Sequence, residues 1–328
     1  MAADHTPTLE AACSQEGLLS EDWSPELIAM VADPRASNRD LLAATSLAAR
    51  GLGPNDVQAW RDDLIEYSLW ETGRIPERLG LCAYLVSIGA GRVSSPARWR
   101  SFGGLLHIAC EAGSIAGIQW ALEREPSSIR RPGGRLGISP FHALQMNDSD
   151  EVALAAVKLL SSAGADINAV SADGRNALFR CSSAAVAELM IDLGADPEQL
   201  DAKGFSPLGL WIELGFWPAA RKAFASRPAL IDGMLPWGSM SRSLSVPLFD
   251  RPFFIAACAS AGMRAHWVDE RQILLDGIVS LGANPTLLDA RGRSAHERSA
   301  CPMVLAHMEQ WILSGESRSE SRAGANRL

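Results

Sequence analysis

The strongest constraint on the fold is a phrase that the middle of the sequence repeats several times. Starts such as Gly-Ile-Ser-Pro-Phe-His-Ala at 137–143 alternate with endings such as Ala-Gly-Ala-Asp-Ile-Asn-Ala at 163–169. The glycines of successive starts, Gly137, Gly174 and Gly204, are spaced by 37 and 30 residues. A unit of that length cannot bury a core alone and has to stack on its neighbours. The repetition therefore predicts a stack of small units held by nearest-neighbour contacts.

Between the repeated phrases, apolar residues recur at helical spacing. Val152, Ala156, Leu159 and Leu160 follow the pattern that lays one stripe of a helix against a neighbour. Gly164 then stands where a left-handed glycine ends a helix. Each unit is therefore predicted to hold a pair of helices closed by a glycine turn.

These phrases resemble the ankyrin repeat, which is a β-turn followed by two antiparallel helices. The segments 139–142 and 206–208 resemble its Thr-Pro-Leu-His start, and 164–168 resembles its Gly-Ala-Asp-hydrophobic-Asn ending. Shorter versions of the ending stand at 194–196 and 282–284. The resemblance implies an all-α fold, an ankyrin-repeat solenoid of stacked helix pairs.

The wording of the repeat is clearest over 101–312, with an irregular insertion expected near 231–251, where prolines, serines and apolar residues mix. Residues 23–100 have helical patterns without clean repeat wording. We expect a divergent N-terminal helical cap or divergent repeats there, with a separate helical domain as the alternative. The lead 1–22 and the tail 313–328 hold few residues that could join a core and are predicted to be disordered.

The chemistry-bearing side chains do not form a recognisable catalytic or metal motif. Six cysteines are scattered singly without a Cys-x-x-Cys pair, so the common zinc spacings and a disulfide framework are excluded. The resemblance implies that His107 and His142 brace turns, and that Cys110 and Cys258 are small packing residues. The polar cluster at 266–270 lacks partners at a matching spacing and is interpreted as a solvated helix start. We therefore predict no metal, no cofactor and no catalysis.

The net charge and the distribution of basic and apolar residues limit the class of partner that the chain is expected to bind. The formal net charge is −8 and basic residues do not cluster, so the footprint of a nucleic-acid-binding protein is missing. No apolar run is long enough to span a membrane, and the first residues lack the layout of a secretory signal. We expect a cytoplasmic monomer whose partner is another protein.

The resemblance implies that a partner binds the concave face made by turn tips and first helices. Arginine and tryptophan dominate the energetics of such interfaces, which favours those types among the exposed positions. The residues expected to bind protein are Arg175, Lys203, Phe205, Trp211, Glu213, Trp237 and Arg291.

The sequence thus predicts a non-catalytic protein–protein interaction scaffold. Its Ala, Arg, Leu and Gly-rich wording suggests a bacterial protein, for which an effector or an inhibitor of immunity type is the narrower hypothesis. The alternative is an enzyme whose site lies in the N-terminal helical region or in the 231–270 segment.

Overall fold

The computed structural model describes residues 30, 32–41, 54–89, 104–134, 136–144, 149–181, 183–237, 248–258, 267–284, 287–289, 292–294, 297, 305–306 and 309. The chain divides into two compact units, an N-terminal unit of Met1–Ala172 and a C-terminal unit of Asp173–Leu328. The predicted disordered lead and tail lie outside the described residues, as do Arg291, His266 and His296.

The N-terminal unit is built from helices that pack as successive pairs. They are α1 (Pro54–Glu71), α2 (Arg78–Ser87), α3 (Leu105–Glu111), α4 (Ile115–Arg124), α5 (Pro140–Ala143) and α6 (Asp150–Ser162), with a 3₁₀ helix at Pro126–Arg130. Within pairs, α1 contacts α2, α3 contacts α4 and α5 contacts α6. Between pairs, α1 contacts α3, α3 contacts α5 and α4 contacts α6. First helices thus stack on first helices, and α1 contacts the first helix α3 in the same way.

The C-terminal unit follows the same plan with two departures. Its elements are a 3₁₀ helix (Ala177–Arg180), α7 (Ala184–Asp192), α8 (Pro207–Leu214), α9 (Trp217–Ser226), a 3₁₀ helix (Pro228–Asp232), strands β1 (Leu235–Trp237) and β2 (Leu248–Asp250), α10 (Pro252–Cys258) and α11 (Trp267–Ser280). Helices α8 and α10 contact each other, and α9 contacts both α7 and α11. The fold class is therefore all-α, a repeat stack of helix pairs.

Local sequence explains where the helices begin and end. The Ser206 hydroxyl accepts a hydrogen bond from the Gly209 amide at 3.2 Å and so caps the start of α8, while Pro207 fills the first helical position. Gly215 has φ 78°, a left-handed conformation that glycine adopts without strain, and it ends α8. The chain then reverses directly into α9.

His107 and His142 of the N-terminal unit have the bracing role that their positions predict. His107 is buried, and its Nε2 lies 3.0 Å from the carbonyl oxygen of Ile138, at the turn that opens the next repeat. The Ser139 amide donates to Nδ1 of His142 at 3.1 Å, which closes the first turn of α5. Burial lowers the pKa of His107, so its imidazole is held in the neutral form.

The first departure in the C-terminal unit is the insertion expected near 231–251. Its ends pair as a two-stranded antiparallel sheet in which Leu235 faces Asp250 and Trp237 faces Leu248. Residues 238–247 lie outside the described residues. The composition predicted irregular backbone, whereas the described ends of the insertion form two short antiparallel strands.

The second departure is an abbreviated first helix. Where the next repeat has the eight residues of α8, the repeat before it has only the four-residue 3₁₀ helix Ala177–Arg180. The Ser183 hydroxyl caps α7 soon afterwards by accepting from the Val186 amide at 3.3 Å.

Candidate partner-binding surface

Two of the turns that open repeats of the C-terminal unit are each closed by a backbone hydrogen bond between their ends. Such a turn is here called a finger. In the finger 201–205 the Asp201 amide donates to the Phe205 carbonyl at 2.8 Å. In the finger 289–293 the Asp289 amide donates to the Arg293 carbonyl at 2.9 Å. The strand pair β1–β2 takes the equivalent place in the intervening repeat, and its residues 235–237 and 248–250 are called the extended finger.

Asp201 organises its finger from the inside. Its Oδ1 accepts hydrogen bonds from the amides of Lys203 at 2.9 Å and Phe205 at 3.0 Å. Its Oδ2 accepts from the Arg175 guanidinium, with Nε at 3.1 Å and Nη2 at 3.0 Å. Neighbouring turns are also tied by their backbones, because the Ala202 amide donates to the Asp173 carbonyl at 2.7 Å. The finger is therefore rigid before any partner arrives.

One contact closes the extended finger, and a second holds it against α8. The Trp237 indole donates to the Asp250 carboxylate at 3.0 Å, across the ladder. A Cβ placed on Gly209 would lie 1.8 Å from the Pro236 carbonyl oxygen, so β1 crosses α8 at the one position that lacks a side chain. Leu248 and Phe249 on the returning strand remain 41% and 54% exposed.

An exposed aliphatic residue precedes each of the three fingers. These residues are Leu200, Met234 and Leu288, with exposed fractions of 48%, 49% and 52%. They are structurally equivalent, because each directly precedes the first residue that is paired across its finger. Those first residues are Asp201, Leu235 and Asp289. We call this set the apolar row.

Polar contacts order the loops that present the apolar row. Arg227 Nη1 lies 2.7 Å from Asp196 Oδ1 and 2.6 Å from Glu198 Oε2, and these hydrogen bonds raise the pKa of Arg227. The Asn284 amide donates to Asp232 Oδ1 at 3.3 Å. The loops before the three fingers are thereby connected in sequence along the unit, so the apolar row runs across neighbouring loops.

Three of the residues expected to bind protein are interior. Trp211 is only 1% exposed, and Phe205 and Glu213 are also buried. The prediction that they are exposed anchors is therefore wrong. Trp211 packs into the unit and meets the ring of Phe216 edge to face, with centroids 6.4 Å apart. Phe205 is turned inward because its finger closes on Asp201.

The other expected residues have different surroundings. Lys203 is exposed at its finger tip, and among the described residues its ammonium has no partner. Arg175 is partly exposed but engaged by Asp201, and its guanidinium also lies 5.3 Å from the centre of the Phe179 ring. Trp237 is partly buried against Asp250. Arg291 is outside the described residues.

Sequence reasoning missed the apolar row and the exposed strand residues Leu248 and Phe249. The signal was present for Leu200 and Leu288, since each directly precedes an Asp-Ala-Lys/Arg-Gly tetrad. Met234 has no such tetrad after it, because the extended finger interrupts the repeat wording. That Met234 is equivalent to Leu200 and Leu288 can be recognised only from the register of β1 with β2.

Within the described part of the chain, no group of three or more His, Cys, Asp or Glu side chains is placed to hold a metal ion. Cys110 lies in the core, and burial raises the pKa of its thiol well above the ordinary value. None of the helices in the described ranges combines the length and apolarity that a membrane crossing needs.

Comparisons with known proteins were made for the whole chain. No protein-family model and no curated protein matches the sequence. The ankyrin repeat domain of human ASB11 is similar in structure at 17% identity, covering 74% of this chain and 96% of that chain with a TM-score of 0.48. A chain from the complex of a Bdellovibrio bacteriovorus predatory endopeptidase with an immunity protein is similar at 17% identity, covering 63% of this chain and 97% of that chain with a TM-score of 0.46. At these values the similarities carry no weight for function, which has to be argued from the chain's own surface.

Proposed function

We propose that the protein is a non-catalytic scaffold that binds another protein through its C-terminal unit. The binding site is the surface formed by the fingers and the apolar row, here called the finger surface. The observation that carries the proposal is the apolar row of Leu200, Met234 and Leu288, together with the exposed Leu248 and Phe249 of the extended finger. Exposed apolar side chains that recur on one side of a protein are typical of protein-interaction sites. Single exposed aliphatics would mean little, but here one position is apolar in three successive repeats.

The physical case rests on preorganisation as well as on apolarity. The fingers are already fixed by Asp201, by the Trp237–Asp250 hydrogen bond and by the loop contacts of Arg227. A rigid surface loses little conformational entropy on binding, so more of the burial energy remains as affinity. Full burial of one Leu, Met or Phe side chain contributes about 1.5–3 kcal/mol.

Lys203 adds a charged contact to this surface. Its side chain is exposed at the tip of the finger 201–205 and is free among the described residues. An acidic group on the partner would pair with it, which affects association rate and orientation more than affinity.

The test is affinity capture from the native cell with matched variants. Phe249→Asp and Leu200→Asp place a charge on the proposed surface, whereas Leu281→Asp changes an exposed aliphatic of the same unit that belongs to no finger. We expect the first two variants to lose a specific partner and the third to retain it. Equal recovery of the same proteins by all three variants would contradict the proposal.

The narrower role of an inhibitor or immunity-type protein belongs to the same proposal. It requires that the captured partner be an enzyme and that its activity fall when the wild-type chain is added but not when Phe249→Asp is added. A bacterial effector acting as an adaptor would instead bind without changing the partner's own activity.

A further inference from the structure

A groove of the C-terminal unit lies at the C-terminal end of α8, remote from the finger 201–205. Its volume is about 570 Å³, and its walls come from three successive repeats. Phe179 and Arg180 belong to the short 3₁₀ helix, Leu214 ends α8, Trp217 begins α9, and Ile273 belongs to α11.

The groove follows from the abbreviated repeat. An eight-residue α-helix is about 12 Å long, whereas four residues of 3₁₀ helix span about 8 Å. The 3₁₀ helix Ala177–Arg180 therefore ends before the last turn of its neighbour α8 does. Leu210 and Leu214, in the second half of α8, consequently line an open depression instead of a helix–helix contact.

The walls of the groove are held firmly. A Cβ placed on Gly277 of α11 would lie 2.1 Å from Cζ2 of Trp217, so the indole is seated directly on the backbone of that helix. Trp211 forms part of the floor and meets Phe216 edge to face. The site is thus formed in the free protein, as most binding clefts are.

One charge stands in this apolar setting. Arg180 is the only ionisable residue with a formal charge among the described lining residues, and its guanidinium has no ion-pair or hydrogen-bond partner within the described part of the chain. The groove therefore combines aromatic and aliphatic walls with one available cation. Arginine prefers a carboxylate, with which it forms paired hydrogen bonds.

The open side of the groove indicates an occupant that continues into solvent. Ile273 is 57% exposed at this side, more than any other exposed large hydrophobic of the described chain. A segment of a larger chain fits such a site better than a small molecule that would be enclosed.

We propose that the groove binds a segment of a partner protein that inserts a bulky apolar side chain beside Trp217 and Leu214 and pairs an adjacent acidic residue with Arg180. This inference rests on the proposed function in assuming a protein partner. It assigns that partner, or a second one, a separate contact at the opposite end of α8 from the fingers.

The probe is a random-peptide phage library selected against the full-length protein, with selected peptides then synthesised and titrated by fluorescence anisotropy. We expect the selected peptides to share a Trp, Phe or Leu next to an Asp or Glu. Arg180→Glu and Ile273→Asp should each weaken binding by about tenfold or more, which corresponds to the loss of about 1.4 kcal/mol. Leu281→Asp, outside the groove, should leave the affinity unchanged.

A charge exchange makes the test specific. A selected peptide whose acidic residue is replaced by Lys should bind Arg180→Glu better than it binds the wild type. Failure to select any peptide, or selection of peptides insensitive to Arg180→Glu and Ile273→Asp, would overturn the groove assignment. Neither result affects the finger proposal, which is judged separately by Phe249→Asp in affinity capture.

Discussion

The Arg175 guanidinium and the Asp201 carboxylate form a two-point contact between neighbouring turns, with Nε and Nη2 of Arg175 3.1 and 3.0 Å from Oδ2 of Asp201. The Asp201 side chain is almost fully buried, whereas that of Arg175 is partly exposed. Because Oδ1 of the same carboxylate accepts two amides of its own finger, this pair couples the shape of one turn to the position of the next. The position of the finger 201–205 relative to the preceding turn therefore depends on the contact between Arg175 and Asp201.

Replacing Asp201 by Ala should therefore destabilise the protein by about 3 kcal/mol, since hydrogen bonds to a charged group contribute about 1.5–3 kcal/mol and two amides lose their acceptor. The matched control is Asp192→Ala, which removes an exposed ion pair with Lys222 and should cost less than about 1 kcal/mol. Urea unfolding followed by circular dichroism measures both. Equal losses in the two variants would show that Asp201 does not hold the finger together.

The docking of the extended finger should be sensitive to a single methyl group. Gly209→Ala places a carbon 1.8 Å from the Pro236 carbonyl oxygen, so β1 must move or the variant must absorb about 1–3 kcal/mol of overpacking. Alanine would otherwise stabilise a helix interior by about 1 kcal/mol over glycine.

Thermal unfolding and limited proteolysis around 235–250 measure this effect. Ala155→Gly, at an exposed position of α6, calibrates the intrinsic helix preference and should lower stability without changing cleavage of the finger. If Gly209→Ala melts at or above the wild-type temperature with unchanged cleavage, the close approach of β1 to α8 is refuted.

The stability of the protein should decrease when the solution is made mildly acidic. Burial lowers the pKa of His107 from its ordinary value of 6.5, so below that pH the unfolded chain binds a proton that the folded chain does not. The contribution of His107 is complete above about pH 6.5 and falls as the pH drops below it. His107→Gln, which keeps a donor for the Ile138 carbonyl, should reduce this slope.

Denaturant titrations at several pH values between about 5 and 8 give the slope for both proteins. Parallel curves for wild type and His107→Gln would mean that His107 does not titrate differently in the folded state.

The buried cysteines should be inert thiols in the folded protein. Burial raises the pKa of Cys82 to about 12 and that of Cys110 further, so neither forms the reactive thiolate near neutral pH. Alkylation with iodoacetamide, mapped by mass spectrometry, should leave both unlabelled until denaturant is added. Rapid labelling of Cys110 in the native protein would contradict its packing role.

Some features of the structure could be predicted from the sequence, and others could not. The helical stripe of α6 and its glycine end are local consequences of patterning and capping, and the sequence predicts them well, as the repeat resemblance does the bracing of His107. The burial of Trp211 and Phe205 is not local, because it depends on which side of α8 and of the finger meets the next repeat. A repeat phrase indicates that a residue is near a turn, but not which way its side chain points.

The apolar row and the groove depend on relations between repeats of unequal length. Met234 becomes equivalent to Leu200 only when the register of β1 with β2 places Leu235 opposite Asp250. Likewise, the groove needs the short helix Ala177–Arg180 and the longer α8 to stand side by side. The unequal repeat lengths can be seen in the sequence. The apolar row and the groove that result from them depend on how neighbouring repeats pack.

The most direct test of the finger surface is site-specific photo-crosslinking in the native cell. A benzoylphenylalanine placed at Phe249 should crosslink to one discrete protein, while the same group at Leu281, also exposed in the C-terminal unit, should not. The crosslink at Phe249 should disappear when Leu200→Asp is added. No discrete product at Phe249, or the same products at both positions, would contradict the account.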